Sequence, residues 1–137
     1  MSGVMSGGMA ASIRQALVVA MAGDAGLGAL LHNFSDAEPE RGVVPYGFVG
    51  EAASAPWGAK DRPGEELRID MSFVDRGDGD RIDQIAAMAV AVIEAMPRTI
   101  DGWETSGFVA VRSRTTTLRN GQRRMTLSWR VRGWRAQ

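Results

Sequence analysis

The sequence predicts an α+β fold, in which a four-stranded, mainly antiparallel sheet carries helices on one face. Three observations predict it: apolar residues recur at helical spacing in three segments, alternate with polar residues in another, and flank an Asn-Gly turn signal near the end. The predicted order of elements is ααββαββ. A chain of 137 residues, of which 45% are hydrophobic, can build one core but not two.

The first two predicted elements are two helices, or one kinked helix. Apolar residues recur at helical spacing from Ala10 to Met21, and Gly23 ends the pattern. Asp24 is then positioned to cap a short second helix that contains three leucines. Residues 1–9 are rich in small residues and show no periodic apolar pattern, so we expect a flexible arm there, followed by a single domain over residues 10–137.

The predicted sheet begins with a strand from Val43 to Val49, in which Pro45 suits a strand start or a sheet edge. The segment from Glu51 to Gly64 contains Pro, Gly and Trp without a period, which predicts a long loop. Long loops in compact domains are often functional. We therefore regard this segment as a possible interface loop with four candidate contact residues: Trp57, Lys60, Asp61 and Arg62.

The next strand and the helix after it have the clearest patterns. Apolar and polar residues alternate from Glu66 to Phe73, which predicts a strand with one face in the core. Asp78 or Asp80 can cap the following helix, whose apolar face extends from Ile82 to Met96 and ends before Pro97. The aspartates near this helix start resemble a calcium-binding loop only loosely, so helix capping is the better interpretation.

The last two predicted strands lie within Trp103 to Val131 and are joined around Asn120-Gly121. A two-residue loop would mix apolar and polar side chains on each face, because a one-residue shift moves every side chain to the opposite face. An effective three-residue loop at this turn, or a bulge nearby, separates the two faces and pairs Thr117 with Met125.

In this register Arg112 lies directly opposite Arg130, an arrangement that is unfavourable for like charges unless acidic groups are close by. Those acidic groups could belong to a partner, as protein carboxylates or nucleic-acid phosphates, or to other parts of the same chain. The sequence leaves both options open. The predicted basic patch on the polar face has four members: Arg112, Arg114, Arg130 and Arg132.

The formal net charge of zero conceals an uneven distribution along the chain. Residues 1–104 contain 8 basic and 16 acidic groups, whereas residues 105–137 contain 8 arginines and no acidic group. Charge separation of this kind affects association rather than fold. It indicates self-complementary association or an acidic partner.

Several kinds of chemistry are excluded or unsupported by the residue types present. The absence of cysteine excludes disulfides, a thiol nucleophile and cysteine-ligated metals. The single histidine, His32, follows the short second helix, where a helix C-cap role is more plausible than catalysis. No nucleophile and base can be paired, so we expect no enzyme activity, no cofactor and no metal. No long apolar stretch or signal peptide is found, so we expect an intracellular protein without a membrane association.

These segments, taken together, resemble one protein family, the tail completion or tail terminator proteins of long-tailed bacteriophages and gene transfer agents. The resemblance implies a hexameric ring at the head-proximal end of the tail tube, the neck of the virion, assembled in the host cytoplasm. It also implies contacts with the tail tube protein and a head-tail connector or stopper protein, and no enzyme activity or cofactor. The residues that carry it are Gly23-Asp24-Ala25, Leu27 to Leu31, Pro45-Tyr46, Trp57, Lys60-Asp61, the strand from Glu66 to Phe73, the helix ending at Met96, and Gly121.

Two other functions remain open alongside the terminator. One is a head-completion or connector protein, which differs from a terminator in its location in the virion. The other is a nucleic-acid-binding module that uses the arginine-rich hairpin without reading sequence. The zero net charge argues against this module, as does the lack of aromatic residues on the basic face. If the basic patch lined the lumen of a ring, it would meet the phosphates of DNA passing through.

Overall fold

A computed structural model describes residues 8–77 and 79–136, which form three helices and six strands. The order of these elements is ααβββαβββ. Residues 1–7 of the predicted arm lie outside the described residues, and Met9, also assigned to the arm, begins the first helix and is fully buried. The elements are α1 (Met9–Gly23), α2 (Ala25–Leu30), β1 (Asn33–Ser35), β2 (Tyr46–Ala59), β3 (Arg62–Arg76), α3 (Arg81–Glu94), β4 (Thr99–Ile100), β5 (Trp103–Thr117) and β6 (Gln122–Arg135).

The predicted four-stranded, mainly antiparallel sheet is wrong, because the strands form one six-stranded mixed sheet in the order β1-β2-β3-β6-β5-β4. β1 pairs with β2 in parallel, and β4 pairs with β5 in antiparallel fashion. These two strands have three and two residues, too few to produce a periodic pattern in the sequence. The four central strands have 14 or 15 residues, and bulges in β2 and β5 increase the twist and curl of the sheet.

The predicted long loop between Glu51 and Gly64 is also wrong. β2 continues to Ala59 and β3 begins at Arg62, so most of this segment forms the outer part of a long antiparallel hairpin. Its side chains are largely exposed. A two-stranded hairpin of this kind needs no apolar alternation, and backbone pairing rather than core packing keeps Pro56 in the strand.

One face of the sheet forms the core with the helices. The inward residues of β3 contact both α1 and α3. The Phe34 ring packs on the Phe73 ring with centroids 5.9 Å apart. Asp24 caps α2 through a hydrogen bond from the Leu27 N–H, as its spacing predicts. The fully buried side chains of this face include Ile13, Leu17, Leu67, Ile69, Met71, Phe73 and Ile85.

The structure tests two of the predicted helix-end residues. Asp80 is the N-cap of α3 but makes no side-chain capping hydrogen bond, and Asp78 lies outside the described residues. Leu31, rather than His32, is the C-cap of α2. The His32 N–H instead donates to the Pro45 carbonyl at 2.6 Å, which connects the helix end to the chain before β2.

The hairpin of β5 and β6 has a three-residue loop, but its position differs from the predicted one. The Leu118 N–H donates to the Gln122 carbonyl at 2.7 Å, and Gly121 has a positive φ of 81°. Thr117 therefore pairs with Arg123 instead of Met125. Bulges in β5 shift the register further, since an extra residue on one strand displaces all later pairs.

Candidate partner-binding face

The face of the sheet opposite the helices carries most of the polar side chains of the long strands, and we call it the open face. At one end it is covered by a small apolar cluster of Tyr46, Phe48 and Val74, with Leu118 packed against it. Towards the other end the strands alternate so that cationic side chains project from this face. The arginines on this face include Arg68, Arg112, Arg114, Arg124, Arg130 and Arg132.

The structure brings the four predicted patch residues to this open face, but it does not pair Arg112 with Arg130. Arg112 lies opposite Ser128, because of the changed register. Arg130 lies opposite Val109 on one side and opposite Arg68 of β3 on the other. Two arginines thus lie in register, but on β6 and β3, and the Glu66 carboxylate is close enough to attract both of them.

Acidic side chains of the same chain neutralise part of the patch. Arg132 donates from Nε to Glu66 Oε2 at 2.8 Å, and this hydrogen bond holds the pKa of Glu66 below its usual value. Arg124 forms an ion pair with Glu38 at the covered end. Of the two alternatives, an acidic partner or acidic groups of the same chain, Arg132 follows the second, because it pairs with Glu66.

Four other arginines of the open face differ from Arg132 and Arg124 in the described part of the chain. Among residues 8–77 and 79–136, no carboxylate forms a salt bridge with Arg68, Arg112, Arg114 or Arg130. We call these four residues the arginine strip. Guanidinium groups bind carboxylates and phosphates through paired hydrogen bonds, so the strip can hold an anionic partner.

A hollow of about 380 Å³ opens on the arginine strip. It is lined by Arg68, Arg112, Asp70 and Ser128, together with parts of two apolar residues. Asp70 accepts a hydrogen bond from the Ser128 hydroxyl at 2.6 Å, which fixes its carboxylate between the two strands. The strip is therefore a shallow, open surface, better suited to an extended partner than to an enclosed small molecule.

A larger hollow of about 590 Å³ lies between the strip and the segment after β1. Arg14 of α1 reaches its rim and donates to the Gly50 carbonyl at 2.6 Å and to Asp36 Oδ1 at 3.0 Å. Acidic residues line it as well, among them Glu51. This hollow has mixed charge, in contrast to the arginine strip.

The predicted interface loop is instead a supported hairpin end. Trp57 stacks on Trp134 of β6 with ring centroids 5.9 Å apart, and Arg62 lies over the Trp134 ring at 4.6 Å. Arg62 also forms a 2.7 Å ion pair with Glu104, which accepts a 2.9 Å hydrogen bond from Trp134 Nε1. Lys60, together with Asp61, forms the exposed turn between β2 and β3.

Sequence reasoning missed three residues of this face: Arg68, Glu104 and Trp134. The alternation in β3 places Arg68 on a polar face, but no sequence pattern shows that β3 neighbours β6 rather than β5. Glu104 lies opposite Trp134 in the ladder between β5 and β6 only because two bulges in β5 lie between this pair and the turn. A correct turn position alone would not have identified them.

In residues 8–77 and 79–136, no group of three or more His, Asp or Glu side chains could hold a metal ion. No helix in this part of the chain is long and apolar enough to cross a membrane.

The fold is that of a known virion component. A chain from a solved structure entitled "Virion of native gene transfer agent (GTA) particle" matches with a TM-score of 0.80 and 19% sequence identity. The match covers 91% of this chain and 96% of that chain. No curated protein sequence matches this chain.

The family follows from the sequence itself. Residues 15–132 match the family described as "Tail completion protein gp17", which is most of the chain. The protein belongs to this tail completion family, as its motifs indicate, and it is a structural protein of phage-type virion tails.

Proposed function

We propose that this protein is a tail terminator, which forms a closed ring at the head-proximal end of the tail tube. In this role it ends polymerisation of the tube and offers a surface to the head-tail connector or stopper protein. It acts by binding, without enzyme activity or a cofactor. Membership in the tail completion family supports this function.

The observation that carries the proposal is the arginine strip. Four arginines that form no salt bridge in the described chain lie on a face that the helices leave uncovered. Clustered cations repel one another, and an anionic partner relieves that repulsion. In a ring with its helices outward, the strip faces the lumen, where it meets DNA phosphates without reading sequence.

The proposal extends to the location and the partners of the protein. The ring belongs in the neck of the virion after assembly in the host cytoplasm, with the tail tube protein on one side and the connector on the other. The turn of the β2–β3 hairpin, with Lys60 and Asp61, is exposed at one end of the sheet and the β5–β6 turn at the other. Each end of the ring can thus present a separate hairpin to a different neighbour.

Charge reversal on the strip tests the function. Replacing Arg112→Glu and Arg130→Glu together should prevent completion of tails, because the ring then repels DNA phosphates and loses its contact with anionic groups. The readout is the length of tail tubes and the fraction joined to heads, measured by electron microscopy. Thermal unfolding by circular dichroism checks that the fold is retained, since Arg112 is exposed and Arg130 half-buried.

The matched control is Arg41→Glu with Arg98→Glu, which makes the same change in charge at exposed positions outside the strip and outside both hairpin turns. The control should give normal particles. Normal tails joined to heads in the strip variant would contradict the proposal that the strip contacts a partner.

A head-completion or connector protein is the alternative with the same class of partners. The exposed hairpin ends would serve either role, and the position in the particle separates the two. Labelling of Lys60, the single lysine of the sequence, with a gold cluster would place the protein on the tube side or on the portal side.

A further inference from the structure

We propose that the free edge of β5 pairs with the free edge of β2 in a second copy, so that neighbouring copies share one continuous antiparallel sheet. This inference rests on the proposed ring and names the contact that builds it. The occupant of each edge is therefore another copy of this chain.

The first edge is the outer side of β5. β4 covers only Trp103 and Glu104 of this edge. Just beyond them, the Thr105 N–H donates a hydrogen bond to the Arg98 carbonyl at 2.8 Å. From there to Thr117 no other strand pairs with this side of β5 in the described chain. Val109 and Val111 are 42% and 44% exposed here, and long exposed edges of this kind readily accept another strand.

The second edge is the outer side of β2. β1 covers Tyr46 to Phe48, and Arg14 donates to the carbonyls of Val49 and Gly50. No strand in the described chain pairs with this side of β2 beyond that point. Pro56 lacks an N–H and suits an edge, so the segment from Glu51 to Ala55 is the part best able to form a ladder.

The two edges are compatible in direction and in position. β2 and β5 run antiparallel to each other, because each of the three pairs between them in the sheet is antiparallel. A second copy related by rotation about an axis along the strands thus presents β2 antiparallel to β5. Since the two edges differ, the contact is head-to-tail and repeats until the ring closes.

The charges of the two edges are complementary. Arg112 and Arg114 on β5 form no salt bridge in the described chain, and Glu51 on β2 forms none either. The alanines that follow, Ala53 and Ala55, are exposed on the open face and leave room for long arginine side chains. When two copies pair in an antiparallel ladder, their open faces lie on the same side of the shared sheet. The arginine strip would therefore continue from one copy to the next.

Cysteine cross-linking tests this contact directly, because the native chain contains no cysteine. Ala53→Cys combined with Val109→Cys places one thiol on each exposed edge, on the open face in both cases. The assembled protein is treated with a short bismaleimide, which tolerates a shift of register by a residue or two. The control combines Ala53→Cys with Val19→Cys, whose side chain is 65% exposed on α1.

The expected result is a series of linked species from the edge pair that ends at one closed size, with little linking in the control. Rings that assemble but give only unlinked chains from the edge pair would overturn this inference and leave the terminator function standing. Failure to assemble at any concentration, alone or on tail tubes, would overturn both the ring and the edge contact.

Discussion

At the scale of single residues, the interaction of Asp75 with Arg81 connects the end of β3 to the start of α3. The Asp75 carboxylate is 4% exposed and accepts hydrogen bonds from Arg81 at 2.7 Å and 2.6 Å. The Arg76 N–H donates to it as well, at 2.8 Å. The hydrogen bonds from the Arg81 side chain, more than the one from the Arg76 N–H, hold the pKa of Asp75 below its usual value of 3.8.

We predict that Asp75→Asn lowers the free energy of unfolding by about 2 kcal/mol at pH 7, because a buried hydrogen-bonded charge is lost. A lowered folded-state pKa stabilises the protein above pH 3.8, and that stabilisation is lost as pH falls through the folded-state pKa. The difference from the native protein should therefore shrink as pH falls below about 4. Urea unfolding at pH 7 and at pH 3 measures it.

The control for this prediction is Asp61→Asn, at the exposed turn between β2 and β3. It should leave the unfolding free energy nearly unchanged at both pH values. An Asp75→Asn variant that loses the same stability at pH 3 as at pH 7 would show that the charge of Asp75 is not what stabilises the native state.

At the scale of elements, the sequence predicts those with long periodic patterns and fails for those without one. α1, α3 and the inner part of β3 bury one regular face, so their patterns are visible. β1 and β4 are too short for a pattern, and the outer half of β2 has no buried face. The alternation in the last hairpin places its arginines on one face. It does not identify their cross-strand neighbours, because the order of strands in the sheet depends on tertiary packing.

The stack of Trp57 on Trp134 should stabilise the outer end of the β2–β3 hairpin. We predict that Trp134→Ala increases the rate of cleavage at Lys60 by roughly tenfold, since the stacking and the cation–π contact with Arg62 are lost together. Lys60 is the single lysine, so a lysine-specific protease cuts only there. Mass spectrometry of the two fragments measures the rate.

The matched variant is Trp134→Phe, which retains an aromatic ring for the stack but loses the hydrogen bond to Glu104. Its cleavage rate should lie between those of the native protein and the alanine variant. Equal rates in all three proteins would mean that this stack does not hold the hairpin end.

At the scale of the whole molecule, folding brings the acidic and basic parts of the chain together without neutralising them completely. Glu66 pairs with Arg132, and Glu104 with Arg62, across neighbouring or nearby strands. The arginine strip remains, and it lies on a sheet in which β1 and β4 cover only part of the edges of β2 and β5 in the described chain. Self-association through those edges would form a ring whose uncovered face is basic.

The central claim is that copies of this chain close into a ring. Native mass spectrometry across a concentration series, with negative-stain images of the largest species, tests it most directly. We expect one dominant closed species, a hexamer with a central hole, whether it forms in solution or on added tail tubes. A protein that remains monomeric under both conditions, or that grows into open-ended filaments, would contradict it.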